Sequence, residues 1–304
     1  MLTIKTKYKI DLMNNYFENN LDEKNIEKIK KSLFEDGFFV IRDFFNKEQV
    51  SHLINYCEIL ISKNNSEPVI LDLIKISEIR KIVFHEKIIS LMKTILSEKS
   101  IYYFGDSTIH FTPNNRIFHT DARPEGVVEN IIDYPLFRIG IYLQDHYNHS
   151  GGLKIRKGSH KKMIYNKTNI KGLINKKFTL QSYKSLFNTG KVINLRSKVG
   201  DLAIWNIKIE HSGGAVIPKL FPNLAFWPFI DEKIPKIFKK PEHKNRFVVF
   251  NALGKYSQAL DDYVRFRNMS AKKHGIDPYN KEDYTSEIQK FAENQNIQLY
   301  EHPR

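Results

Sequence analysis

A chain of 304 residues with 41% hydrophobic and 12% aromatic content holds enough apolar material for one sizeable core, which excludes a largely disordered polypeptide. Its 48 Lys and Arg against 34 Asp and Glu leave a formal charge of +14, which draws anions to the surface without saying which ones. The lysines are scattered among Asn and Ile, with only short pairs such as Lys161-Lys162, Lys176-Lys177 and Lys239-Lys240, and this weighs against nucleic acid as a partner.

The opening stretch MLTIKTKYKIDLMNN breaks its apolar residues with Lys and Asp before any signal-peptide core can form. No later segment holds about 18 uninterrupted apolar residues, so a cytoplasmic protein without a membrane span is expected. Residues 22–35 are predicted as a helix, with Asp22 as cap, Ile26, Ile29 and Leu33 on one face, and Gly37 just past its end. FFVIRDFF is β-branched and aromatic and predicts a strand; Asn46, with Gln49 three residues on, then caps a second helix. That helix places Val50, Leu53, Ile54, Cys57, Leu60 and Ile61 at core spacing. Cys57 is the only cysteine, which rules out an intrachain disulfide and a cysteine-based metal site, and it is read as structural. Ile88, Ile89, Met92, Ile95 and Leu96 predict a third helix over 86–97.

From about residue 101 the pattern changes to short apolar runs separated by Gly, Asn, Asp and Pro: IYYFGDSTIHF, RIFHTDA, LFRIGIYLQDH, GGLKIRKGSHK, KVINLRS, GDLAIWNIKIEHSGG and RFVVFNALG. Strands joined by turns in this way predict a closed or two-sheet β-structure. The last fifty residues, from about Tyr256, are predicted as helices anchored by Leu260, Tyr263, Val264 and Phe266. No internal repeat or low-complexity linker interrupts the chain.

Within FHTDA, His119 and Asp121 are two residues apart, so on a strand both project to one face and both can reach one cation. His211 closes the strand IWNIKIEH on the same parity as Trp205, Ile207 and Ile209, aimed at the interior. Two imidazoles and a carboxylate make a facial triad, which leaves three adjacent positions open on an octahedral iron(II). His-x-Asp by itself is a weak signal; its surroundings decide its weight.

Those surroundings, FEDGFFVIRDFF, the FHTD element, RIGIYLQDH, GGLKIRKGSHK and GDLAIWNIKIEHSGG, occur in order from about residue 28 to 254 and resemble the phytanoyl-CoA dioxygenase family. The resemblance implies a mainly β fold with flanking helices around a double-stranded β-helix, the jelly-roll or cupin-like core. It also implies iron(II) on His119, Asp121 and His211, 2-oxoglutarate and O2 as cosubstrates, and hydroxylation of an unactivated C–H of a small molecule as 2-oxoglutarate becomes succinate. Asp121 fills the carboxylate position that halogenating relatives leave vacant for chloride, which favours hydroxylation. In the family an Arg on a late strand pairs with the distal carboxylate of the cosubstrate, and Arg246, opening RFVVFNALG, is the candidate. It follows His211 at a far greater distance than in the family, which requires an insertion at about 212–245. Arg138, sharing a strand face with Tyr142, is the alternative anchor. One domain over 1–304 is expected: helices and a strand over 1–100, the barrel over 101–254, and a helical segment over 255–304. The competing readings are a zinc-type or non-catalytic barrel that binds a small ligand and, behind it, nucleic-acid oxidation.

The remaining candidates are read conservatively. His146 and His149 in DHYNHSGG, and His160 in GSHK, belong to turns; His110 faces either core or pocket; Gly151, Gly152 and Gly158 serve tight turns. Trp205 and Trp227 are core or pocket wall, Asn115 and Arg116 a turn beside the ligand strand, and Lys161 and Lys162 a solvated loop. The aromatic run FPNLAFWPFI in the insertion is expected as a lid or substrate wall, with a peripheral packing patch or oligomer contact as the plainer reading. The lysine excess favours an anionic substrate, and the oligomeric state is left open.

Overall fold

The computed structural model of the chain describes residues 15–64, 72–111, 118–122, 135–161, 191–243, 246–273 and 281–301. The expectations for Asn115, Arg116 and Lys162 lie outside the described residues.

The first elements follow from local chemistry. Helix α1 (Glu23–Asp36) starts where the Asp22 carboxylate accepts the Asn25 N–H at 2.8 Å, and it stops at Gly37, whose φ of +86° lets its N–H turn back to the Ser32 and Leu33 carbonyls. Strand β2 (Phe38–Ile41), which pairs in parallel with β1 (Tyr16–Phe17), is shorter than the FFVIRDFF run. Asp43 takes a left-handed φ of +49° as its N–H binds the Asp201 carboxylate, so Phe44 and Phe45 leave the sheet and pack below it. A reciprocal box then starts α2 (Lys47–Asn64), with Gln49 N–H on the Asn46 side chain and Asn46 N–H on the Gln49 side chain. Cys57 is buried in the core on this helix. A short α3 (Ser77–Val83), absent from the sequence reading, precedes α4 (Glu86–Leu96).

Strands β3 (Ile101–His110), β4 (Leu136–Tyr142), β7 (Leu202–Asn206) and β9 (Val248–Gly254) complete a seven-stranded sheet in the order β1-β2-β7-β4-β9-β3-β10. A second sheet has the order β6-β5-β8, from β5 (Gly152–Arg156), β6 (Val192–Leu195) and β8 (His211–Ala215). Alternation assigns the faces. Phe39, Ile41, Ile139, Ile141 and Ile204 of the large sheet pack with Ile29, Leu33, Leu53, Ile88 and Met92 of the helices. Phe38, Val40, Tyr142, Trp205 and Val248 on its other face pack with Leu153, Ile155, Ile193 and Leu195 of the small sheet. All four residues of β2 are therefore buried, which is why FFVI reads as an unbroken apolar run. This is a double-stranded β-helix core with flanking helices.

After β9 come α6 (Gln258–Lys273) and α7 (Ser286–Asn294), with Leu260, Tyr263 and Val264 buried as expected and Phe266 only half-buried. The tail then turns through Asn296, at φ +55°, into strand β10 (Ile297–Leu299), parallel to β3, where helix alone was expected. Three residues are too few to show a strand period.

Gly37 offers a direct stability test. A Cβ there would lie 2.4 Å from His160 Nδ1 and 2.8 Å from Ile209 Cδ1, on a backbone that disfavours L side chains. Gly37→Ala is expected to lower stability by about 3 kcal/mol, read as a shifted denaturant midpoint at unchanged slope.

Candidate metal centre

The centre is built by backbone pairing first. His119 and His211 form an antiparallel bridge with two hydrogen bonds, His119 N to His211 O at 3.0 Å and His211 N to His119 O at 2.8 Å. Paired residues project to the same side, and their rings lie with centroids 4.3 Å apart. Asp121 is tied in by its own N–H to Ile207 O at 3.0 Å. Ligand atoms of His119, Asp121 and His211 all lie within 4.8 Å of one another, with His211 Nε2 3.7 Å from Asp121 Oδ1. Among the described residues no other group of three His, Cys, Asp or Glu is gathered in this way.

Hydrogen bonds outside the triad set the chemistry of its donors. His211 Nδ1 donates to Ile209 O at 3.1 Å, which leaves Nε2 as the lone-pair nitrogen facing Asp121. Arg138 Nε donates to Asp121 Oδ2 at 3.1 Å and so leaves Oδ1 for a cation. Burial would raise the Asp121 carboxyl, but Arg138, then His211 and His119, outweigh it and hold the group ionised well below its ordinary range.

Arg138 has further partners: Nη1 donates to Asp106 at 2.7 Å and Nη2 to Tyr263 at 3.3 Å, while the Tyr263 hydroxyl donates to Asp106 at 2.5 Å. Arg267 also pairs with Asp106. Asp106 is 2% exposed; burial pushes its carboxyl up, and Arg138 and Arg267 bring it below the ordinary value. The sequence reading missed Asp106, Tyr263 as a polar group, and Arg267. The available signal was an Asp in the middle of the apolar strand IYYFGDSTIH, where that residue is rarely found without a partner.

Arg246 and Tyr142 form a second feature. Arg246 is 4% exposed, and its charge acts on both Tyr142 and His146. Burial pushes the Tyr142 hydroxyl up, and Arg246 offsets part of this. Tyr142 is fully buried on the inner face, and its hydroxyl has no hydrogen-bond partner among the described residues. Burial first, then Arg246, pushes His146 down to about 3, so that ring is neutral. Trp205 flanks the centre with its ring 5.8 Å from His211 and 5.9 Å from Phe250, and His110 stands 5.0 Å from Phe250.

Other expectations need correction. His160 Nε2 donates to Phe34 O at 3.0 Å, across to the end of α1 and not to its own turn. Gly151 and Gly158 have positive φ, but Gly152 lies in β5, where a Cβ would come 3.1 Å from His146 Cβ and 3.2 Å from Leu195 O. His149 stacks on His243 with centroids 4.0 Å apart, away from the triad's partners. The insertion, expected as a lid or substrate wall with a peripheral packing patch as the plainer reading, follows the plainer one and packs on the outer face of the small sheet. Lys154 and Arg156 point outward there by alternation; Lys154 pairs with Asp231 of α5 (Pro228–Lys233), and the Arg156 guanidinium sits 4.4 Å from the centre of the Trp227 ring. Trp227 in turn meets Phe118, the neighbour of His119, at 5.5 Å, so the segment backs the centre from outside.

No protein-family model and no curated protein matches the chain. Solved structures do. The epimerase SnoN, in complex with Fe3+, alpha ketoglutarate and nogalamycin RO, superposes with a TM-score of 0.52 at 12% identity over 77% of this chain and 85% of that one. The non-heme alpha ketoglutarate dependent carbocyclase SnoK gives 0.52 at 13% identity over 78% and 85%. EctD from S. alaskensis with 2-oxoglutarate and 5-hydroxyectoine gives 0.51 at 13% over 77% and 76%. At these identities the likeness is one of fold: a mainly β, jelly-roll core with flanking helices.

Proposed function

We propose that this chain is a non-haem iron(II), 2-oxoglutarate-dependent oxygenase of the phytanoyl-CoA dioxygenase type that hydroxylates an unactivated C–H of a small molecule. The observation that carries the reading is the convergence of His119, Asp121 and His211 at the inner wall of the barrel. Two imidazoles and one carboxylate suit iron(II), and three protein ligands leave positions for a cosubstrate and O2. Fold neighbours that use alpha ketoglutarate support it. Because those neighbours include an epimerase and a carbocyclase, hydroxylation is the specific part of the proposal, and product analysis tests it.

Iron(II), 2-oxoglutarate and O2, when bound, would supply the oxidising chemistry, with one oxygen atom of O2 going to the succinate formed as 2-oxoglutarate loses carbon dioxide and the other to the hydroxylated C–H. The chain's own contribution is orientation. The Ile209 carbonyl keeps the His211 tautomer that offers Nε2, and Arg138 holds Asp121 to one available oxygen. Arg246 would take the distal carboxylate of 2-oxoglutarate, with the Tyr142 hydroxyl as second donor, since a guanidinium fork matches a carboxylate and the hydroxyl has no other described partner. Arg138 is the poorer anchor, because Asp121, Asp106 and Tyr263 occupy its donors. Trp205 and Phe250 supply an aromatic wall that limits water beside His211.

Anaerobic titration with iron(II) and 2-oxoglutarate is expected to give a weak visible band near roughly 500 nm, and aerobic turnover to give succinate. Absence of both the band and succinate would overturn the proposal. The anchors separate by kinetics. Arg246→Leu is expected to raise the half-saturating 2-oxoglutarate concentration by about 30-fold with metal affinity retained. Arg138→Met should weaken metal binding by about 10–100-fold instead.

A further inference from the structure

We propose that the insertion between β8 and β9 is a docking surface for anionic lipid membranes. Its inner side is fixed: Asp231 is 2% exposed, pairs with Lys154 and accepts the Val216 N–H. Among the described residues no element covers its outer side. Leu220, Phe221, Leu224, Ile237 and Phe238 are each 45–74% exposed, a concentration of large apolar side chains that a soluble surface seldom carries without a partner. They lie close together because the two arms of the insertion are joined. Pro218 bridges Lys239, Lys219 N–H donates to Phe238 O at 2.8 Å, and Lys240 N–H donates to Ile217 O at 2.8 Å.

The same arms carry Lys219, Lys233, Lys236, Lys239 and Lys240, the first three exposed and the last two half-buried. Charge complementarity selects the occupant. A second copy of this chain, meeting the patch about a two-fold axis, would press these lysines against their counterparts. A nucleic-acid backbone would match the lysines but offer nothing to five apolar side chains. An anionic bilayer answers both: the apolar side chains enter the boundary between headgroups and acyl chains, while the lysine ammoniums reach lipid phosphates along their flexible stems. Among the described residues no helix is long and apolar enough to cross a membrane, so the contact is with its surface. This inference does not depend on the oxygenase reading.

The test is cosedimentation of the full chain with phosphatidylcholine vesicles, with and without a large fraction of phosphatidylglycerol. Binding is expected only to the anionic vesicles, and to fall by at least about tenfold both in the double variant Leu220→Ser/Ile237→Ser and in Lys219→Glu/Lys236→Glu. Thermal midpoints of both variants should match the parent, because the substituted groups are solvent-facing. The proposal is overturned if the parent stays in the supernatant with anionic vesicles, or if the apolar variant sediments like the parent. It is equally overturned if Leu220→Ser/Ile237→Ser splits a dimer in sedimentation velocity without any vesicle binding by the parent.

Discussion

Asp121→Ala is expected to abolish iron-dependent succinate formation and to weaken metal binding by more than about 100-fold, a larger loss than removal of a supporting group produces. Two effects combine. The carboxylate is the anionic member of the set His119, Asp121 and His211, so the variant loses both a ligand and the charge that attracts a divalent cation. It also releases the Arg138 Nε–H, 3.1 Å from the absent oxygen, and leaves that guanidinium sharing Asp106 with Arg267 as its remaining counter-charge, which adds net positive charge beside the metal position. Titration with cobalt(II), followed by its visible spectrum, measures the first loss without turnover, and circular dichroism verifies folding. Asp121→Asn keeps the shape but not the charge and should lie close to Ala. Retained succinate formation in either variant would remove the metal assignment.

The second large effect lies outside the ligand set. Asp106 is buried and faces Arg138, Arg267 and the Tyr263 hydroxyl. Deleting its carboxylate in Asp106→Ala leaves Arg138, 11% exposed, and the half-buried Arg267 without their common counter-charge; removing one member of a buried ion pair costs about 3–5 kcal/mol, and the exposure of Arg267 places this variant at the lower end. Arg138 then loses one of the two carboxylates that hold its plane, and Asp121 loses its fixed orientation, so metal affinity is expected to fall by about 10–100-fold as well. Urea unfolding reads the first effect and metal titration of the folded variant the second. A stability loss below about 1 kcal/mol would mean that solvent screens the cluster and that Asp106 does not organise the centre.

These two residues differ in how visible they are before folding. The pair His119 and Asp121 stands out as a His-x-Asp spacing, although the expected strand is only an isolated bridge at His119 followed by a bend at Asp121. Asp22, Gly37, Asn46 and Gln49 can be read from the hydrogen bonds that helix ends require within three or four residues. Asp106 has no such local signature. Its meaning comes from β3 and β4 both flanking β9, and from α6 bringing Tyr263 and Arg267 over the same point. The two readings of the insertion could not be separated for the same reason. Its aromatic run suggested a cover for the pocket, but the outward parity of Lys154 and Arg156 on β5, set by sheet pairing, draws it to the opposite face.

The amino-acid order alone therefore determined the longer helices with their Asp22 and Asn46 caps and the β-rich core, because those depend on periods and hydrogen-bond counts over a few neighbouring residues; the parity read for His211 failed, since a turn at 207–209 ends β7 and His211 opens β8 in the other sheet. Only the tertiary structure decided which oxygen of Asp121 stays available, which Arg is committed elsewhere, and which way the insertion faces. Such choices depend on register and proximity between separate strands and helices, from Asp121 and Arg138, 17 positions apart, to Asp106 and Tyr263, joined across 157. Coulomb energy falls with distance in space and is indifferent to distance along the chain.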